Sequence, residues 1–138
     1  MTLSHMQIGE VAERTGLSLR TIRYYEEMGL VRPSSRSAGG FRLYTGADVS
    51  RLLLVKRMKP LEFSVEEMRD LLHVLDALEA HTDSTSARDG LVERLTMYRE
   101  AADARVRGLQ EDMETAQAFA KDLRREISRQ RRAAEPGA

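Results

Sequence analysis

Ile8, Val11 and Ala12 fall at i, i+3 and i+4, the spacing of one helix face, and predict a short amphipathic helix over Ile8–Thr15. Gly16 ends that helix, and Ser18 is placed to cap the next. The second helix opens Leu19-Arg-Thr-Ile-Arg-Tyr-Tyr25. At about 100° per residue, Arg20, Arg23 and Tyr24 share one side while Ile22 points nearly the opposite way, flanked by Leu19 and Tyr25. One face offers two guanidinium groups and a phenol; the other offers something to bury. Ala12, Gly16 and Ile22 fit a helix-turn-helix, with a small residue at the crossing, glycine in the turn and an apolar anchor. Gly29 stops the second helix after Met28, and Pro33 reinforces the break.

Between Val31 and Tyr44 two short strand-like pieces flank a Ser/Gly-rich centre, which reads either as a hairpin "wing" or as a loop. Phe41 and Leu43 alternate with Arg42 and Tyr44, so a half-buried strand shows Arg42 and Tyr44 together on one side. Thr45 with Asp48 resembles a capping box for a third helix, which continues through Val49, Leu52, Leu53 and Lys56 to about Lys59. Pro60 breaks it. Ser64-Val-Glu-Glu67 is an S-x-x-E box opening a fourth helix, with Val65, Met68, Leu71, Leu72, Leu75 and Leu78 expected inward. The polar stretch His81–Asp89 reads as a linker.

From about Asp89 to Arg132 the apolar positions keep coiled-coil spacing. They are Leu91, Leu95, Tyr98, Ala102, Val106, Leu109, Met113, Ala116, Ala120, Leu123 and Ile127, with one stutter near Ala102. Such a helix spans roughly 66 Å, and its narrow seam needs a partner helix. A second copy of the chain is the simplest source, and an intramolecular fold-back is the alternative. Gly108 costs about 1 kcal/mol relative to Ala and marks a place for a local kink. The expected organisation is a head over 6–78, a linker over 79–88 and a dimerisation helix over 89–132.

The net charge of zero hides a split. Residues 1–60 carry ten Lys/Arg against five Asp/Glu, and residues 61–138 carry twelve against seventeen. The basic half is the one to set against nucleic acid. With no cysteine, the chain forms no disulfide and supplies no thiolate metal ligand or thiol switch. No apolar run approaches ~18 residues, so the expectation is a soluble, cytoplasmic protein without a membrane span. Met1–Met6 is given no structural weight. His73 and His81, eight apart, are about two turns from each other and too distant for a compact one-helix metal site. No nucleophile–base pattern or phosphate-cradling loop suggests an enzyme, and neither metal nor cofactor is expected.

Ile8-Gly-Glu-Val-Ala12, Thr21-Ile-Arg-Tyr-Tyr-Glu26, Gly29-Leu-Val31, Gly40-Phe-Arg-Leu-Tyr44 and Phe63-Ser-Val-Glu-Glu67, in that order, closely resemble the MerR family of bacterial transcription regulators. The resemblance covers roughly residues 6–78; the long helix matches the family in architecture only. It implies a mostly α fold, with a winged helix-turn-helix head, a small β-hairpin wing and a long helix forming an antiparallel coiled coil in a homodimer. It also implies binding of double-stranded DNA at a pseudo-palindromic promoter operator, bending and untwisting it so that RNA polymerase reads the promoter; some members simply repress.

Carried over by position, the resemblance makes Arg20 and Arg23 groove and phosphate contacts, with the bidentate donors that Lys lacks. Tyr24 corresponds to a DNA-contacting position, and Thr21 is placed to bond a phosphate or a base. Tyr25 is either scaffold or a phosphate-reaching hydroxyl. Arg36, Arg42 and Tyr44 become contacts of the first wing, with Phe41 as packing, and Lys59 becomes the contact of the second wing, which in the family is the helix pair after Pro60. Leu95, Tyr98, Ala102, Val106, Leu109, Met113, Ala116, Ala120 and Leu123 would line the dimer seam. Where the family commonly has Gly before Phe in the second wing this chain has Glu62, whose carboxylate would repel phosphate or alter the turn. Glu27 is expected as an ion-pair partner of the arginines. The family's metal and redox branches carry cysteines near the end of the long helix, so thiol-dependent sensing is disfavoured here. A small-molecule effector, if one exists, is expected between head and coil, around Met97, Tyr98 and residues 81–90. The rival reading is an architectural protein that bends DNA without regulating a specific promoter.

Overall fold

The computed structural model describes residues 5–80 and 85–137. Its elements are α1 (Ile8–Thr15), α2 (Leu19–Glu27), β1 (Ser35–Arg36), β2 (Arg42–Leu43), α3 (Gly46–Met58), a 3-10 turn (Lys59–Leu61), α4 (Val65–Glu79) and α5 (Thr85–Ala133). The chain divides into two compact units, Met1–Tyr98 and Arg99–Ala138.

Local chemistry sets most of the head's boundaries. Gly16 takes a left-handed conformation (φ 72°) and returns its N–H to the Ala12 carbonyl, closing α1. A β-carbon there would also lie 3.0 Å from Lys56 Nζ, which reaches across from α3 to donate to the Thr15 carbonyl at 2.8 Å. Lys56 thus places its charge at the negative end of α1. Both capping boxes form: Thr45 with Asp48 on α3 and Ser64 with Glu67 on α4. The backbone and hydroxyl of Ser64 hold the Glu67 carboxyl below the usual carboxylate range.

One apolar cluster unites the head's helices and wing. Val11, Ile22, Leu30, Val31, Leu52 and Val55 are its fully buried centre, closed by Met58, Met68 and Leu72. α3 buries Val49, Leu52, Val55 and Met58 and leaves Leu53 39% exposed. On α4, Met68 and Leu72 are buried as expected, and Val74 is buried too, outside the main cluster.

The wing is a two-stranded antiparallel hairpin, with Ser35 opposite Leu43 and Arg36 opposite Arg42. Ser37 N–H donates to the Phe41 carbonyl at 2.8 Å, and Gly40 turns the chain with φ 82°. Next to β2, Met6 and Tyr44 exchange two backbone hydrogen bonds of 2.7 and 2.8 Å. Met6, expected to carry no structural role, is 4% exposed and belongs to the core. Phe41, expected to pack, is 64% exposed instead.

α5 begins at Thr85, inside the expected linker, and continues through Gly108 without interruption; residues 81–84, His81 among them, lie outside the described residues. Its first turns belong to the head. Arg94 and the Tyr98 hydroxyl both donate to the Asp70 carboxylate on α4, and the Tyr98 ring meets Phe63 edge-on at 5.9 Å. Tyr98, expected on the dimer seam, therefore commits its ring and hydroxyl within its own head. In the second unit α5 buries no residue, and Val106, Leu109, Met113, Leu123 and Ile127 stand 39–55% exposed. No described helix is long and apolar enough to cross a membrane.

Candidate nucleic-acid interface

α2 is oriented by its buried side. Ile22 is fully buried and Tyr25 is 4% exposed, while Arg20, Arg23 and Tyr24 lie on the solvent side. Ser18 starts the helix: its Oγ accepts from the Thr21 N–H at 3.1 Å and its hydroxyl donates to Thr21 Oγ1 at 2.8 Å. The Thr21 hydroxyl is thus already engaged at the cap. Neither Arg20 nor Arg23 makes a hydrogen bond or ion pair among the described residues. Their ten guanidinium donor sites, five each, face solvent on one side of one short helix.

Two clefts flank this helix. One, of about 550 Å³, brings Arg20, Thr21, Tyr24 and Tyr25 of α2 together with Lys59, Phe63 and Ser64 of the second wing. The other, of about 130 Å³, sets Arg23 beside Gly40, Phe41 and Arg42 of the first wing. Seven of the nine residues expected at the DNA surface therefore line the two clefts beside α2; Arg36 and Tyr44 do not. Arg36 is exposed on β1 and its Nη1 donates to the Gly40 carbonyl at 3.1 Å, which braces the hairpin tip.

Glu26 organises the first wing, a role that sequence reasoning missed. Its carboxylate accepts from Arg42 Nε and from the Tyr44 hydroxyl, both at 2.8 Å. Glu26 is one position past Tyr25 on the buried edge of α2, and that proximity was the available signal. Glu27, expected as an intramolecular ion-pair partner, makes no salt bridge within 4.0 Å among the described residues, but its charge adds to that of Glu26 in raising the pKa of Arg42. Tyr44 needs correction as a DNA contact: its side chain is fully buried and its hydroxyl is spent on Glu26. Burial, and then that hydrogen bond, raise its pKa well above the ordinary phenol range. Arg42 keeps 37% of its side chain exposed but carries a neutralising partner. Tyr25 is scaffold by its ring, whose burial raises the hydroxyl's pKa, and it meets Tyr24 at 5.9 Å between ring centres.

In the second wing, Glu62 adopts φ 63°, the only positive φ at a non-glycine position among the described residues. Its N–H returns to the Lys59 carbonyl at 3.0 Å and closes the 3-10 turn. A β-carbon costs about 1 kcal/mol in this conformation, partly offset by glycine's greater freedom in the unfolded chain. Compared with Glu62→Ala, which removes the same carboxylate, Glu62→Gly should therefore be more stable by roughly 0.5 kcal/mol, read as a higher denaturant midpoint. An equal or lower midpoint would show that the turn is not strained.

Among the described residues no three His, Asp or Glu side chains are grouped to hold a metal ion. The region expected for an effector, around Met97 and Tyr98, lines none of the cavities described.

Residues 6–75 match the family model described as MerR HTH family regulatory protein. The HTH-type transcriptional regulator HmrR of Rhizobium leguminosarum bv. viciae is 49% identical over 82 residues, which are 59% of this chain and 60% of that protein. The HTH-type transcriptional regulator ZntR of Escherichia coli (strain K12) is 35% identical over 108 residues, covering 78% of this chain and 75% of that protein. Among solved structures, HiNmlR, a MerR family regulator lacking the sensor domain, bound to promoter DNA, aligns with a TM-score of 0.59. That alignment covers 88% of this chain and 94% of that one at 22% identity, a likeness of fold. On the extent of the family match and the similarity to ZntR, the chain belongs to the MerR HTH family of regulatory proteins.

Proposed function

We propose that this chain is a transcriptional regulator that binds double-stranded promoter DNA as a homodimer. The observation that carries the reading is the solvent side of α2, where Arg20, Arg23 and Tyr24 stand beside two clefts that join the helix to both wings. A helix of this size fits the major groove, and guanidinium groups bond guanine edges or phosphate in pairs. Arg36 and Lys59 then act on the backbone, setting affinity and register more than sequence choice. Two heads held by an antiparallel pairing of α5 would meet two half-sites of a pseudo-palindromic operator. Distortion of that operator, with RNA polymerase as the reader, is the mode of regulation that fits the fold. The activity belongs in the cytoplasm, where promoter DNA is accessible.

The relatives' names favour regulation over a purely architectural role. Competition binding separates the two. A regulator holds its operator at least about a thousandfold more tightly than random DNA at physiological salt. A ratio near unity, with affinity set by salt alone, would support the architectural protein instead.

A further inference from the structure

A third cavity, of about 460 Å³, opens beyond the C-terminal end of α2, and none of Arg20, Arg23, Tyr24, Arg36 or Lys59 lines it. Three elements supply its charged walls: Arg32 follows α2, Asp48 and Arg51 come from α3, and Arg69, His73 and Asp76 come from α4. Three guanidinium groups and an imidazole thus face two carboxylates.

The carboxylates are largely occupied. Asp48 Oδ2 accepts from the Thr45 N–H at 2.9 Å and from the Ser34 hydroxyl at 2.6 Å. Asp76 Oδ1 accepts from Arg51 Nη1 at 2.9 Å. The basic side chains keep free donors. Arg69 donates through Nε and Nη2 to the Met28 carbonyl, at 3.0 and 2.7 Å, which leaves its charge uncancelled and Nη1 unused. Arg51 donates through Nε to the Leu30 carbonyl at 2.7 Å and keeps Nη2 unused. Arg32 and His73 have no partner among the described residues.

We infer that this cavity is an anion site and that its ligand is a small phosphate ester carrying hydroxyl groups, such as a sugar phosphate. The open guanidinium of Arg32 and the unused Nη2 of Arg51 and Nη1 of Arg69 offer donors from three directions, which suits the several oxygens of a phosphoryl group better than a planar carboxylate. The volume lies within the range of small-ligand sites. No Phe, Tyr or Trp lines the cavity, whereas Asp48 Oδ1 and Asp76 Oδ2 are left to accept hydroxyl donors. Arg51 and Arg69 already hold the carbonyls of Leu30 and Met28, so the ligand borders the segment that anchors the end of α2. The site does not depend on α2 reading DNA.

The test is calorimetric titration of the full chain, without DNA, with ribose 5-phosphate, and with ribose as control. The expected result is saturable one-site binding of ribose 5-phosphate and none of ribose. Arg32→Ala and His73→Ala should each weaken it roughly tenfold, while Arg20→Ala leaves it unchanged. Arg32 and His73 are exposed, so these variants should fold. Absence of saturable binding up to about 10 mM, which is weaker than any useful affinity, would overturn the site. So would binding that survives both cavity variants, or binding lost only in Arg20→Ala, which would place the phosphate on the DNA-facing side.

Discussion

Arg23→Ala should weaken binding to a specific operator at least tenfold, a loss of about 1.4 kcal/mol or more, while the melting temperature stays within about a degree. The second half of this prediction follows from the environment of the side chain. Arg23 is exposed and has no partner among the described residues, so its removal opens no cavity and strands no charge. The first half follows from chemistry: a bidentate guanidinium–base pair is worth roughly 1–3 kcal/mol of discrimination. Arg23→Lys keeps the charge but not the planar fork, so it should recover non-specific affinity without recovering operator choice. Unchanged operator binding by Arg23→Ala, measured by fluorescence anisotropy, would remove α2 as the reading element.

Replacing Leu109 and Met113 together by Gln should yield monomers at micromolar concentration. In the single chain these side chains are 39% and 55% exposed, and they recur with Val106 and Leu123 on the seam expected from the heptad spacing of α5. Pairing two copies would cover four such side chains. With only the remaining exposed fraction counted, that is about 4 kcal/mol per dimer, from ~2 kcal/mol for a fully buried side chain. A loss of that size weakens association roughly a thousandfold. Gln keeps good helix propensity, so α5 should survive in circular dichroism. A double variant that still sediments as a dimer would overturn the seam as the dimer contact.

The parts of the head readable from sequence are those set by residues three or four apart. Ser18, Thr45 with Asp48, and Ser64 with Glu67 cap the helices they were expected to cap, because a cap is a local exchange of hydrogen bonds. The face of α2 was legible for the same reason. The first wing was misread because alternation says which residues share a side, not which side is inward. Its strands are two residues long, and the deciding partner is Met6, far away in sequence. That bridge draws Tyr44 into the core and leaves Phe41 outside. The Glu26 carboxylate and the reach of Lys56 to Thr15 are likewise long-range pairings that no short window contains. Periodicity marks a candidate seam along α5 on both sides of Tyr98, yet up to Tyr98 the helix packs on its own head through Asp70 and Phe63. A heptad pattern does not reveal that change of partner.

The most direct test of the central claim is selection of bound fragments from a whole genome, followed by hydroxyl-radical footprinting at the strongest site. The account predicts one dominant, two-fold symmetric footprint within a promoter, with protected half-sites on one face of the duplex. Many weak sites, unrelated in sequence and without a common footprint, would contradict it.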